Sequence, residues 1–211
     1  EKDKLKAMKL SPAERRSLIF MLATLFFIFS GTNTIQTFFA LFADEILGKS
    51  TQQATLMLGV FGLASMAAAI PAGKLGTKFG RKKMIISGLS AFIIMFAAYA
   101  ITQKMWLIWP ALVIGGVANM FITVNTLPLV LEIGGVEKVG TFTGYYYTAT
   151  FSAQVAAPIL YGIVRVLTGT YMSLFVFCPI AFALAFLCVS QVKHGEAIPE
   201  ELIKEAEMQG D

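Results

Sequence analysis

Neutral polar side chains recur at helical spacing inside the most apolar stretches of this chain. Residues three, four or seven positions apart lie on one face of an α-helix, so each set forms a stripe. The stripes are Asn33 with Gln36, Asn119 with Thr123 and Thr126, and Tyr147 with Gln154 and either Thr150 or Phe151. Amides and hydroxyls donate and accept hydrogen bonds, and a tyrosine ring offers a flat apolar face. These groups therefore favour noncovalent binding of an uncharged, hydroxyl-rich molecule.

Two interpretations are open for these polar groups. They can line a cavity and bind a solute, or they can hydrogen-bond between helices, which typically contributes about 0.6 kcal/mol per bond. We expect helix packing for Asn125, which points away from the Asn119 stripe. The predicted binding residues are Asn33, Gln36, Asn119, Thr123, Tyr147 and Gln154.

A second candidate is the basic segment GKLGTKFGRKK, residues 73–83, which holds five cations and three glycines. A phosphate-binding loop needs G-x-x-x-x-G-K-[ST] between a strand and a helix, and neither the spacing nor the context fits. The segment is also too short to fill a nucleic-acid groove, so no nucleic-acid partner is expected. Its glycines permit a sharp turn, and its cations would hold that turn on one side of a membrane.

The composition is that of a membrane protein. Hydrophobic residues make up 56% of the chain, charged residues only 14%, and the mean hydropathy is +0.71, whereas soluble domains are about 25% charged. An enzyme inside the bilayer would need clustered His, Asp, Glu or Cys at membrane depth. The apolar stretches hold no such cluster, so we expect neither an enzyme nor a bound metal or cofactor. Cys178 and Cys188 are ten residues apart on one predicted helix, too far for a disulfide.

Six stretches are long enough to cross the hydrocarbon core, which takes about 20 mostly apolar residues. The predicted spans are 17–43, 53–72, 84–101, 106–131, 141–165 and 171–192. An even number of spans places both termini on the same side. Ser11, Pro12 and Glu14 predict the start of the first helix, with Ser11 as N-cap and Glu14 completing a capping box.

The positions of the cations predict the direction of these spans. With both termini in the cytoplasm, the outside retains only Lys49, Lys104 and Arg165, and the other cations lie inside, as the positive-inside rule requires. We therefore expect a multi-pass protein of the plasma membrane. Its predicted parts are a cytoplasmic linker (1–16), a six-helix membrane domain (17–192) and a cytoplasmic C-terminal tail (193–211).

The basic segment resembles the signature cytoplasmic loop of the major facilitator superfamily, G-x-L-x-D-x-x-G-R-[KR]-[KR]. The resemblance rests on Gly73, Gly80, Arg81, Lys82 and Lys83, with Thr77 standing where the family has an acidic residue. That departure removes the family's carboxylate gating contact and suits the looser copy found in C-terminal halves.

The resemblance implies an all-α fold, the C-terminal six-helix half of a major facilitator transporter, built as a 3+3 inverted repeat. Residues 17–101 and 106–192 have nearly equal lengths, as such a repeat requires. The partner would be an N-terminal six-helix half, normally on the same chain. The third and sixth helices of such a half lie outside against lipid, and the others line the solute path.

A further stretch, residues 128–162, resembles the tenth-to-eleventh helix region of the sugar-symporter-like branches, including the glycoside-pentoside-hexuronide and sucrose-transporter-like groups. This resemblance implies secondary active transport of a small polar organic solute, a sugar or glycoside, by alternating access. No acidic or basic residue occupies the core of a predicted span. The carboxylates that would couple transport to H⁺ or Na⁺ are therefore expected in the other half.

Two alternatives of another class remain open at this point. A six-span chain can be a subunit of a homo-oligomeric channel, or a half-transporter that works as a homodimer. A channel would need a re-entrant loop or a ring of charges, and the predicted external loops are too short for a re-entrant segment.

The predicted direction can be tested by labelling. A cysteine placed at Lys49 should react with an impermeant thiol reagent in intact cells, whereas one at Lys78 should react only after the cells are opened. The opposite pattern would reverse the topology.

Overall fold

A computed structural model of the chain describes residues 10–134 and 139–194. Most of the predicted linker and tail, and residues 135–138, lie outside the described residues. The described chain is all-helical, and its six α-helices are each long and apolar enough to cross a membrane. They are α1 (Pro12–Leu47), α2 (Thr51–Phe79), α3 (Arg81–Thr102), α4 (Ile108–Gly134), α5 (Val139–Thr168) and α6 (Leu174–Ser190). Single 3₁₀ turns, Met105–Leu107 and Tyr171–Ser173, lead into α4 and α6.

The predicted start of α1 is confirmed. The Ser11 hydroxyl accepts a hydrogen bond from the Glu14 backbone N–H at 3.2 Å, and the Glu14 carboxylate accepts one from the Ser11 backbone N–H at 2.8 Å. Ser50 and Gln53 form a second capping box at the start of α2. Both boxes satisfy N–H groups that have no partner within the helix.

The prediction that residues 73–83 form a loop is wrong. Helix α2 continues to Phe79 and α3 begins at Arg81, so the turn between them is Gly80 alone. The sequence-based boundary failed because it ended each span where the apolar run stops. A helix can instead carry charged turns beyond the hydrocarbon core. The expected sharp turn itself is confirmed, with Gly80 at φ 98°.

The two ends of the helix bundle carry different features. The basic end holds the start of α1, the turn at Gly80 and the last turns of α4 and α6. The far end holds the last turns of α1, α3 and α5. Successive helices run alternately between these two ends.

The packing relates the first three helices to the last three. Helix α1 packs mainly against α5 and α6, α4 packs mainly against α2 and α3, and α3 packs against α6. This set of contacts stays the same when α1, α2 and α3 are exchanged with α4, α5 and α6, in that order. The predicted 3+3 repeat has this consequence, although the two triplets share no visible sequence similarity.

Small residues let α4 approach its neighbours closely. A Cβ added to Gly116 on α4 would lie 2.4 Å from the Phe61 carbonyl oxygen of α2, and the Ser65 hydroxyl donates to the Gly116 carbonyl at 3.0 Å. On the other side, a Cβ added to Gly88 of α3 would lie 2.7 Å from the Ala118 carbonyl oxygen of α4. Helix α4 is therefore held between α2 and α3 at backbone contact distance.

The sixth span, which is expected to face lipid, is exposed on only one of its faces. Val176, Ile180 and Leu187 are exposed, whereas Cys178 is fully buried with its thiol 3.7 Å from the Gly31 carbonyl oxygen. The ring of Phe182 on the buried face stacks on Phe92 of α3, with centroids 4.7 Å apart. A span that is apolar all round carries no pattern from which its buried face could be read.

Candidate functional site

The turn at Gly80 joins two membrane helices with a single residue. Its backbone N–H donates to the Gly76 carbonyl at 3.1 Å and so ends α2, and the next residue already belongs to α3. The backbone angles of Gly80, φ 98° and ψ 131°, are strained for any residue with a Cβ. Glycine is therefore required here by backbone geometry.

Arg81 connects the start of α3 to the end of α4. Its Nε lies 2.7 Å from the Glu132 Oε1, and both side chains are only about one-fifth exposed. Thr77 makes a local bond instead, with its hydroxyl donating to the Lys74 carbonyl at 2.9 Å. Glu132 therefore supplies the carboxylate that pairs with Arg81. Sequence reasoning missed this role, although Glu132 stands at the predicted end of the fourth span.

The remaining residues of the basic segment either contact another helix or are exposed. The Lys82 ammonium donates to the carbonyls of Val192 at 2.7 Å and Ser190 at 3.2 Å, so it caps the C-terminal end of α6. Lys83 is exposed, and Gly73 lies inside α2 facing Val124 of α4. The basic end thus ties the start of α3 to the ends of both α4 and α6.

The two amides of the stripe on α1 differ in their hydrogen bonding. The half-buried Asn33 donates from Nδ2 to the Phe29 carbonyl of its own helix at 2.7 Å. Gln36 is exposed and has no hydrogen-bond partner among the described residues. Of these two amides, only that of Gln36 is fully available for a ligand.

The stripe on α4 is partly to fully buried. Asn119 and Thr123 are half-buried, and the buried Thr126 hydroxyl donates to the Thr123 carbonyl at 3.1 Å. Asn125 is fully buried and donates to the Ala72 carbonyl of α2 at 3.2 Å and to the Phe121 carbonyl at 2.9 Å. Asn125 therefore joins α2 to α4, as expected for a packing residue.

The stripe on α5 is exposed. Tyr147 is 46% and Phe151 56% exposed, and their rings stack with centroids 5.5 Å apart. Gln154 continues the same face and is also exposed. Within the described residues no hydrogen bond joins this stripe to those on α1 and α4.

A cavity that the sequence analysis did not predict lies in the far-end half of the bundle. It is formed by α1, α2 and α4, with α3 and the start of α6 closing its base. Its polar lining consists of Thr32 and Gln36, and no described residue that lines it carries a charge. Six phenylalanines wall it: Phe39, Phe42, Phe61, Phe92, Phe96 and Phe175. We call this space the aromatic cavity.

The sequence contains a partial signal for the aromatic cavity. Phenylalanine occurs 18 times in the chain. Phe39 and Phe42 lie three residues apart on α1, and Phe92 and Phe96 lie four apart on α3, so each pair shares a helix face. Nothing in the sequence shows that these faces meet, because they come from distant helices.

The chain was compared with known families and proteins. A sequence profile of the Major Facilitator Superfamily matches residues 20–207. Multidrug resistance protein 2 of Bacillus subtilis strain 168 is 25% identical over 194 residues, which cover 92% of this chain and 48% of that protein. Multidrug resistance protein MdtG of Proteus mirabilis strain HI4320 is 27% identical over 163 residues, 75% of this chain and 39% of that protein. The chain thus spans about half the length of these relatives, or less.

Solved structures show the same fold. A peptide transporter POT in complex with sulfate superimposes with a TM-score of 0.75 at 13% identity, over 92% of this chain and 43% of that one. Tetrameric PepTSo2 superimposes with a TM-score of 0.74 at 18% identity, over 85% of this chain and 40% of that one. At this level of identity the likeness concerns the fold alone.

The single-residue turn predicts a specific sensitivity to substitution. Gly80→Ala should lower transport activity, because a Cβ at this φ adds strain of about 1–3 kcal/mol to the turn that joins α2 and α3. Gly73→Ala is the matched control, since its new Cβ would make an ordinary contact 3.5 Å from Val124.

Transport rates and the amount of protein in the membrane should be measured together for both variants. Equal transport by Gly80→Ala and Gly73→Ala at equal membrane levels would show that the turn only anchors the topology.

Proposed function

The chain belongs to the major facilitator superfamily, and from this membership we propose that it is one six-helix half of a secondary active transporter. The transporter would move a small organic solute by alternating access, together with an N-terminal six-helix half. The observation that carries the proposal is the packing of α1, α2 and α3 as the counterpart of α4, α5 and α6. The family and the relatives indicate a transporter rather than an enzyme.

We further propose that the basic end lies in the cytoplasm and that the protein resides in the plasma membrane with both termini inside. Lys74, Lys78 and Lys83 are exposed at this end, where they can meet anionic headgroups. The described far end holds two cations near the membrane, Lys104 and Arg165, besides Lys49 in the α1–α2 connection. Arg165 is paired with Glu45 at 2.8 Å.

For the solute, we propose a largely apolar organic molecule with few polar groups. The aromatic cavity supports this proposal because its described lining is almost entirely apolar. The names of the two relatives, both multidrug resistance proteins, agree with it. The sugar-symporter-like branch implied by residues 128–162 gains no support from these relatives.

A sugar or glycoside is the second candidate, and one observation favours it. The stacked rings of Tyr147 and Phe151 lie beside Gln154 on an exposed face of α5. Aromatic faces next to an amide suit the apolar faces and hydroxyls of sugars. For this second candidate the polar contacts would come from the predicted residues Asn33, Gln36, Asn119, Thr123, Tyr147 and Gln154.

The described spans carry their acidic and basic side chains only near their ends. A buried carboxylate relay for H⁺ or Na⁺ would therefore have to lie in the partner half. We propose coupling to one of these ions through that half.

Transport in proteoliposomes tests the function. With both six-helix halves present in the purified protein, a proton or sodium gradient should drive uptake or efflux of a neutral aromatic dye against its concentration gradient, and a radiolabelled disaccharide should not accumulate. A homo-oligomeric channel would only equilibrate the solute. Accumulation of the disaccharide alone would favour the second candidate.

Solute affinity and melting temperature, measured on the same purified samples, test the predicted amides. If Asn119 and Gln154 bind the solute, Asn119→Ala and Gln154→Ala should each weaken its binding by about 5- to 150-fold, because each leaves a ligand group unpaired, about 1–3 kcal/mol. Leu187→Ala, at an exposed position on α6, is the control, since α6 carries none of the predicted binding residues. Lowered melting temperature with normal affinity would show that these amides serve helix packing.

A further inference from the structure

We propose that the first turns of α1 bind the phosphate group of an anionic phospholipid through the guanidinium groups of Arg15 and Arg16. This inference goes beyond the proposed function, because it concerns the membrane around the helices and holds for any transported solute.

The site is a groove on the outer face of α1 at the basic end. Its volume is about 320 Å³, within the range of about 300–1,000 Å³ that is usual for ligand sites. The central residues of its lining lie three, four and seven positions after Pro12 and so share one helix face. The opposite face, with Ser17, Leu18 and Met21, is buried in the bundle. The residues that line the groove are Leu10, Pro12, Arg15, Arg16, Ile19 and Phe20.

Both guanidinium groups are free to bind an anion. Arg15 and Arg16 are exposed, and in the described part of the chain neither forms an ion pair or a side-chain hydrogen bond. The Arg16 guanidinium lies over the Phe20 ring, 5.6 Å from its centroid. The nearby Glu14 carboxylate accepts hydrogen bonds from the backbone N–H and hydroxyl of Ser11. The two arginines therefore offer forked donors and positive charge that match the oxygens of a phosphate.

The segment that follows α6 adds positive charge close to the groove. The hydroxyl of Ser17, which follows Arg16 in the chain, accepts a hydrogen bond from the Lys193 backbone N–H at 3.3 Å and lies 3.0 Å from the His194 Nδ1. The Lys193 side chain is exposed. No described residue that lines the groove is acidic. A zwitterionic headgroup would bring its own cation to this positive surface, so an anionic headgroup is favoured.

The length of α1 places the groove at the level of the lipid headgroups. Its 36 residues extend about 54 Å at about 1.5 Å per residue, whereas the hydrocarbon core is about 30 Å thick. Arg15 and Arg16 directly precede the apolar run of this helix. Ile19, one turn further into the membrane, is 57% exposed, and Phe20 is half-buried. The guanidinium groups can therefore meet a phosphate while these two side chains contact its acyl chains.

Native mass spectrometry of the purified full-length protein tests the site. After delipidation, dioleoylphosphatidylglycerol should bind more tightly than dioleoylphosphatidylcholine, which has the same acyl chains. Each guanidinium should account for about 5-fold in affinity, since a cation near an anionic surface contributes about 1 kcal/mol. Arg15→Gln combined with Arg16→Gln should therefore weaken binding of the anionic lipid by about 25-fold. The same double variant should change binding of the zwitterionic lipid far less.

The matched control removes two positive charges elsewhere at the same end of the bundle. Lys74 and Lys83 are exposed at the basic end and lie outside the groove. Lys74→Gln combined with Lys83→Gln should therefore weaken binding of the anionic lipid far less than the arginine double variant does. Both double variants should keep the melting temperature of the unaltered protein, because none of the four side chains bonds another helix in the described part of the chain.

Four results would overturn the inference. Equal affinity for the two lipids would exclude recognition by charge, and equal losses in the arginine and lysine double variants would show unlocalised attraction to the basic end. Displacement of the lipid by an equal concentration of glycerophosphoglycerol, which has no acyl chains, would identify a site for soluble phosphate compounds. A loss confined to a variant in which glutamine replaces the four linker lysines would place the lipid on the linker: Lys2, Lys4, Lys6 and Lys9. Transport is measured separately, so failure of the transporter proposal leaves this site unaffected.

Discussion

The constraint on which this structure depends is that a bilayer offers no water to hydrogen-bond a free backbone group. It makes each crossing a continuous helix and confines the connections to the two ends of the bundle. Side chains follow the same rule: the hydroxyl of Thr34 and the amide of Asn33 donate to carbonyls four residues earlier in α1. The polar groups that remain for a ligand are those, like Gln36, that the helices leave unused.

Charged residues stabilise the two ends because water is present there and partners are close. At the basic end Arg81 pairs with Glu132 and Lys82 caps α6, which ties three helices around the single-residue turn at Gly80. At the far end Glu45 joins α1 to Arg165 of α5 and to the backbone that leads into α6. In each of these contacts a charged group lies next to a helix terminus or an opposite charge, so none of these charges is buried without a partner.

Most of the fold could be predicted from sequence because it follows from one-dimensional signals. Apolar run length predicts the six crossings, and Ser11 with Glu14 predicts the start of α1. The burial of Cys178 and the meeting of Phe42 with Phe175 could not be predicted, since they depend on which faces of distant helices come together. Asn33 shows the same difficulty at the candidate site: an amide that serves its own helix looks, in sequence, like one that serves a ligand.

The aromatic cavity is a consequence of how the two triplets pack. Because Gly116 and Gly88 have no side chain, α4 can pack closely against α2 and α3. Gly31, whose added Cβ would lie 2.6 Å from the Phe182 ring, allows the same close contact between α1 and α6. Because α1 and α4 are each held against their own neighbours, they leave a gap between them toward the far end, which side chains as large as Phe39 and Phe61 line without closing. A substitution that loosens any of these three glycine contacts should therefore change the shape of this gap before it changes the fold. Packing within the half and the shape of the gap between α1 and α4 are thus coupled through the same helices.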